Sequence, residues 1–219
     1  MRGLHRLILR IVLIILVLLG TSLALGRFFP IPSTLMLGRW ITGAPVERKW
    51  VELQAIAPAL VRGAIAAEDQ RFCAHWGVDF GALRAVLADE NGPSRGASTI
   101  TMQVAKNVYL WPGRSYLRKA LEIPLALAID RAWGKERVME VYLNIAEWGE
   151  GIFGAEAAAR HHFGKQARDL TAIEAARLVA ILPNPIQRRA DRPSRASRRA
   201  LGRMAIIEPY AGCVLDSPP

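Results

Sequence analysis

The stretch Ala66-Ala67-Glu68-Asp69-Gln70-Arg71-Phe72-Cys73-Ala74-His75-Trp76-Gly77 sets two adjacent carboxylates at the end of an apolar, Ala-rich run. A carboxylate beside apolar neighbours loses hydration, which raises its pKa and suits it to general acid or base work. With helical spacing carried through, Glu68, Phe72 and His75 share one face. On spacing alone the plainer reading is favoured: a solvated helix end, with His75 a hydrogen-bonded core residue. Perturbed carboxylates point to a site only statistically.

Two further stretches offer cations and backbone donors. Gly96-Ala97-Ser98-Thr99-Ile100-Thr101-Met102-Gln103-Val104-Ala105-Lys106-Asn107 reads as a loop opening a helix, and free N–H groups at a helix start make a seat for an anion. Simple capping by Ser98 accounts for it equally well. The lysine is misplaced for a P-loop. In Arg114-Ser115-Tyr116-Leu117-Arg118-Lys119-Ala120-Leu121-Glu122, Arg114, Arg118 and Glu122 recur at i, i+4. This is either an exposed salt-bridge ladder or a pyrophosphate clamp, because guanidinium forks match phosphate oxygens. A fourth stretch, 135–144, and a fifth, 154–165, carry small and apolar residues suited to close helix packing. Adjacent histidines on a helix point apart, so His161-His162 is discounted as a metal pair. Of five lysines in the chain, Lys106, Lys119, Lys135 and Lys165 all fall in these stretches.

The elements that must hold these groups read as helices. Residues 51–69 and 79–90 show helical periodicity, the second with Asp79 as N-cap. Residues 98–110 start at Ser98, 115–133 bend or break near Pro124, and 135–147 place Val138, Val141, Tyr142 and Ile145 on one stripe. Thr171-Ala172-Ile173-Glu174 has the capping-box pattern and opens a helix that Pro183 and Pro185 close, and a last helix runs from Ser194 to about Ile207. No run alternates as strands do, so the fold class is all-α.

The chain has 219 residues, 52% of them hydrophobic, and a net charge of +10, which excludes a disordered tail. The charge sits at the ends. Residues 1–27 hold four arginines and no acid, and residues 188–203 hold seven arginines and Asp191, while the middle is nearly neutral. A duplex-binding groove wants its charge on the folded body, so no nucleic acid is expected as a partner. Ile11 to Gly26 carries no charge, and Leu7 to Leu9 extend it to a membrane-spanning length if Arg10 snorkels. Arg2, Arg6 and Arg10 keep the N-terminus in the cytoplasm and export the rest. A cleaved signal peptide ending near Ala24 is the alternative. Either way Cys73 and Cys213 meet an oxidising compartment, but a pair so far apart in sequence says nothing about contact, and two unlinked thiols are the plainer expectation. The expected layout is an anchor at 1–27, a Pro- and Gly-broken connector at 28–50, a catalytic body at 51–187 and a solvated basic helix and tail at 188–219.

These five stretches occur in the order and spacing of the motifs of the peptidoglycan glycosyltransferase family, which residues 68–165 resemble. With one membrane segment and no room for a penicillin-binding transpeptidase domain, the likeness is to monofunctional members. The resemblance implies a lysozyme-like helical fold with a smaller, membrane-proximal jaw lobe. It also implies that lipid II is polymerised into β-1,4-linked glycan, at the inner membrane with the catalytic domain in the periplasm. The partners it implies are lipid II, the growing strand, and other cell wall synthesis or division proteins.

By the same resemblance Glu68 matches the general base and Glu122 the second glutamate, on the pyrophosphate side. Asp69, Ser98, Thr99, Gln103, Lys106, Asn107, Arg114, Arg118 and Lys119 match substrate-holding positions. Phe72, His75, Gly77, Tyr142 and Asn144 match supporting ones. The resemblance allows a divalent cation, Mg²⁺ or Mn²⁺, but no ligand cluster in the sequence demands a metal. One position departs from the pattern: the usual pair of glutamines is Met102-Gln103, and a thioether cannot replace an amide donor.

Overall fold

The computed structural model describes residues 2–88, 97–113 and 115–215. Helix α1 (Arg2–Gly26) contains Leu4–Gly26, a segment long and apolar enough to cross a membrane. Its end is bolted to the body. The Trp133 indole donates to the Leu23 carbonyl at 2.8 Å, and Arg137 donates to the Gly26 carbonyl at 2.9 Å. Residues 28–50 do more than connect, because α2 (Thr34–Ile41) forms between the breakers Pro32 and Gly43, capped by Ser33. Met36 is fully buried, and Thr34 donates to the Asn107 carbonyl at 3.2 Å.

The centre of the body is α3 (Pro58–Glu68), apolar on nearly every face, as a helix enclosed by others must be. It packs between α8 (Ala172–Ile181) and α9 (Arg195–Ile207). The expected helix at 51–69 starts later, at Pro58 in the first turn, after a 3₁₀ turn over Leu53–Ala55. Helix α4 (Phe80–Leu87) is capped by Asp79 as expected. Helix α5 (Ile100–Tyr109) lies along α6 (Tyr116–Ile145). The helix runs on through Pro124, and the break falls where the expected segments 115–133 and 135–147 meet. The chain leaves helical geometry at Gly134 (φ +75°, ψ 170°), a conformation closed to most side chains, so α6 comprises two rods joined there.

The Thr171–Glu174 capping box opens α8 as expected, and the last helix runs from its Ser194 cap to Ile207. That last helix is not merely solvated. Ser197, Ala200, Met204 and Ile207 form a buried stripe at helical spacing against α3 and α8, with the arginines on the outer face. The body therefore does not end at 187.

Strands β1 (Glu47–Arg48), β2 (Glu147–Gly149) and β3 (Ile152–Phe153) make a small sheet in the order β1-β3-β2, too short to give an alternating pattern. Cys73 and Cys213 form a disulfide, with α10 (Gly212–Leu215) brought beside the turn after α3 although 140 residues separate the two cysteines in sequence. Helix α7 (Ala155–Phe163) completes the described elements, and a helical fold with one N-terminal apolar helix is what results.

Candidate active site

Helix α3 stops at Glu68, and this termination separates the two carboxylates. Asp69 has left helical geometry (φ −159°, ψ 75°), so the neighbouring side chains diverge. Glu68 is half-buried at a cleft, where the Gln103 amide donates to its Oε2 at 2.9 Å. Asp69 is only 7% exposed and turns inward. Its carboxylate accepts from His75 Nε2 at 2.9 and 3.1 Å and from the Ile100 N–H at 3.0 Å. Asp69 thereby ties the start of α5, which bears Gln103 and Lys106, to the end of α3, which bears Glu68. Glu68, Phe72 and His75 do not share a helical face, since the helix has ended before Phe72. His75 serves Asp69 and not Glu68.

The turn that follows is locked from behind. Gly77 has φ +81°, and a Cβ there would lie 2.5 Å from the Ala126 carbonyl oxygen. Its own carbonyl accepts from the Thr99 hydroxyl at 2.6 Å, and that oxygen in turn accepts from the Met102 N–H at 3.1 Å. Thr99, not Ser98, is therefore the cap of α5, and it is buried away from solvent. The fully buried Phe72 ring lies under Lys135 Nζ, 4.6 Å from the ring centroid. Lys135 is paired at 2.6 Å with Asp130, which also accepts from Thr101 at 3.3 Å.

The one-residue shift in the cap frees Ser98 to accept a hydrogen bond from Lys119 Nζ at 3.3 Å. Lys119 also pairs with Glu122 Oε2 at 2.9 Å, and Arg118 occupies the other oxygen of the same carboxylate. Arg118 is 8% exposed and Glu122 2%, so the i, i+4 ladder is buried and not the exposed one its spacing allows. Burial lowers the pKa of Lys119, and Arg118 and Lys106 lower it further. Burial and then Arg118 lower the pKa of Lys106, while Glu68 opposes them. These cations are held close enough to repel one another, a state that an anionic ligand relieves. Arg114 and Gly96 lie outside the described residues.

Glu68, Gln103, Lys106 and Asn107 line an open cleft of about 170 Å³, together with Tyr142 and Glu147. Burial pushes the Tyr142 phenol well up, and Glu68 and Asp69 push it in the same direction, so it remains neutral beside the carboxylates. Asn144 is fully buried and bridges Val51, accepting from its N–H at 3.0 Å and donating to its carbonyl at 2.8 Å. Met102 is fully buried in the core, so the position where an amide is usual does not face the cleft. Among the described residues no group of three or more His, Cys, Asp or Glu forms a metal cradle. Glu68, Asp69 and Glu122 are engaged by Gln103, by His75 and by the Arg118–Lys119 pair respectively.

A family model described as Transglycosylase matches residues 36–207. The chain belongs to the transglycosylase family. Its relatives in that family include proteins named biosynthetic peptidoglycan transglycosylase. The one from Brucella suis biovar 1 (strain 1330) is 50% identical over 212 residues, covering 93% of this chain and 95% of the relative. That of Rhizobium meliloti (strain 1021) is 51% identical over 193 residues, covering 87% and 80%. That of Rhodospirillum centenum (strain ATCC 51521 / SW) is 51% identical over 213 residues, covering 92% of each. The matched span takes in α2 and α9, in keeping with their burial against the transglycosylase core.

Sequence reasoning missed Asp130 and Glu147 in this transglycosylase site and gave Lys135 only a place in the fourth stretch. Asp130 and Lys135 brace Phe72 from across the Gly134 kink, and only the fold brings them there. Glu147 lines the cleft from a strand too short to be read from periodicity.

Proposed function

We propose that the protein polymerises lipid II into β-1,4-linked glycan strands and releases undecaprenyl pyrophosphate. The observation that carries the reading is the division of charge: a half-buried Glu68 oriented by Gln103 in the cleft beside Lys106, and next to them Arg118 and Lys119 held on the buried Glu122 carboxylate. The reaction needs a base for a weakly acidic hydroxyl and cations for a departing pyrophosphate. Glu68 takes the proton of the incoming GlcNAc 4-hydroxyl. The oxygen attacks the anomeric carbon of the growing strand, the bond from that carbon to the pyrophosphate oxygen breaks, and the α linkage becomes β.

Glu122 has both oxygens occupied, so it acts through Arg118 and Lys119, fixing them toward the leaving group. Asp69 and Thr99 act as braces of α5, Ser98 holds Lys119, and Gln103 and Asn107 complete the polar lining. Helix α1 anchors the chain in the inner membrane with Arg2, Arg6 and Arg10 on the cytoplasmic side, which puts the body in the periplasm. The Cys73–Cys213 bridge suits that oxidising compartment. Incubating the purified full chain in detergent with lipid II and separating the products by size tests the reading. Long glycan strands are expected, whereas cleavage of preformed strands without polymerisation would make the protein a lytic glycosidase.

A further inference from the structure

Glu147 is a second carboxylate on the cleft that holds Glu68, and the reaction as written gives it no part. Its side chain is 12% exposed, in β2. Oε1 accepts from Arg39 Nη2 at 3.0 Å and from the Gly151 N–H at 3.0 Å. Oε2 takes no hydrogen bond from the described residues. Two donors on one oxygen fix the rotamer and leave the other oxygen as a preset acceptor.

The pair is incompletely satisfied on its other side too, since Arg39 Nε is buried without a partner among the described residues. As a brace between α2 and β2 alone, an ion pair of this kind does no better than well-packed apolar side chains. An acceptor held open at a reaction cleft has a different use, which is to receive a donor from the ligand.

The chemistry of that donor is restricted. An ionised carboxylate only accepts, so it repels phosphate and carboxylate and selects O–H or N–H groups. The cleft is also lined by Ser33, Leu35, Leu182 and Pro185, and Lys106 is its cation among the described residues, while Arg118 and Lys119 lie outside this lining and Arg39 is already paired with Glu147. The free acceptor at Glu147 therefore suits a neutral, hydroxyl-bearing sugar ring and not a phosphate. In a lipid II polymerase the reacting sugar that bears no pyrophosphate is the GlcNAc of the incoming unit.

We propose that Glu147 is a sugar-binding residue that accepts a hydrogen bond from a hydroxyl or acetamido N–H of the incoming GlcNAc in the cleft that holds Glu68. The proposal rests on the polymerase reading above. It is a claim about ground-state binding, so it moves KM and not the chemical step.

Initial rates of the full chain in detergent, measured across lipid II concentrations, test it. Glu147→Gln keeps an oxygen for Arg39 and Gly151 but gives up the charge, and it is expected to raise KM about tenfold, the effect of losing one charge-assisted hydrogen bond, with kcat changed less than about threefold. A KM equal to that of the wild type, or a fall in kcat with KM unmoved, overturns the proposal. If Glu147→Gln melts below the wild type, Glu147→Asp decides, because it keeps the charge but draws the acceptor back by a methylene: raised KM supports the proposal and unchanged KM overturns it. A wild-type chain that makes no strands would instead sink the polymerase reading, and this proposal with it. Strand synthesis with an unmoved Glu147→Gln KM sinks this proposal alone.

Discussion

Reducing the Cys73–Cys213 bridge should cost the fold about as much as breaking one of its buried ion pairs. The bridge closes a loop spanning a sequence separation of 140 residues. In the chain-entropy account, a loop of that size restricts the unfolded chain by about 5 kcal/mol, and native bridges commonly deliver about 2–5 kcal/mol. A loss of about 3 kcal/mol in a chain of this length lowers the melting temperature by roughly 6–12 °C. The described residues include no free cysteine, so a reductant acts on this bond alone. The assay is thermal unfolding of the full chain in detergent, oxidised and reduced, repeated with the Cys73→Ser/Cys213→Ser double variant. Cys73 lies in the turn between Asp69 and His75, so lipid II polymerisation should fall along with stability. A shift below about 2 °C in both the reduced protein and the double variant would refute the reasoning, because α10 would then be held by packing alone.

Glu122→Gln leaves Arg118 and Lys119 without a full counter-charge at a buried site, and a loss of about 3–5 kcal/mol is expected in denaturant unfolding, together with polymerisation. Lys106→Met should do the reverse to stability: the folded protein disfavours the charged lysine, so at neutral pH the variant melts higher while strand synthesis falls. The sign follows from linkage, because the unfolded chain binds the Lys106 proton more tightly; wild-type stability rises with pH between the lowered pKa and the ordinary lysine value, and the variant's advantage shrinks across that window in pH-dependent melts. Gly77→Ala forces a side chain into a left-handed conformation and against the Ala126 carbonyl, and in denaturant unfolding should cost more than the roughly 1–3 kcal/mol of backbone strain alone. Met102→Gln, which restores the usual amide, should cost about 1–3 kcal/mol in unfolding and leave the rate of strand synthesis no higher, because that side chain lies in the core.

Local signals in the sequence carried a good part of the architecture. The caps at Asp79, Thr171 and Ser194 are chemical features of single residues, and they mark helix starts that the fold retains. The site stretches were legible because the types and order of Glu68, Gln103, Lys106, Arg118 and Glu122 resemble a family pattern. What was not legible depends on contact across the chain. Whether the 118–122 ladder is exposed or buried is decided by what packs over it, and periodicity cannot report that. The pairing of Cys73 with Cys213 requires α9 to fold back on α3, which brings the end of the chain to the turn. The divergence of Glu68 from Asp69 arises from a helix ending between them, and boundaries are the least certain part of any pattern. Arg39 and Glu147 meet only because α2 forms inside a stretch that its prolines and glycines mark as a linker.

The central claim is that Glu68, held by Gln103, is the base that activates the attacking hydroxyl. Its most direct test is the initial rate of lipid II polymerisation by the full chain with Glu68→Gln, beside a wild-type control of equal melting temperature. The account predicts a fall of about 10²–10⁴-fold, the usual contribution of a positioned general base. A Glu68→Gln rate within about threefold of the wild type would contradict it.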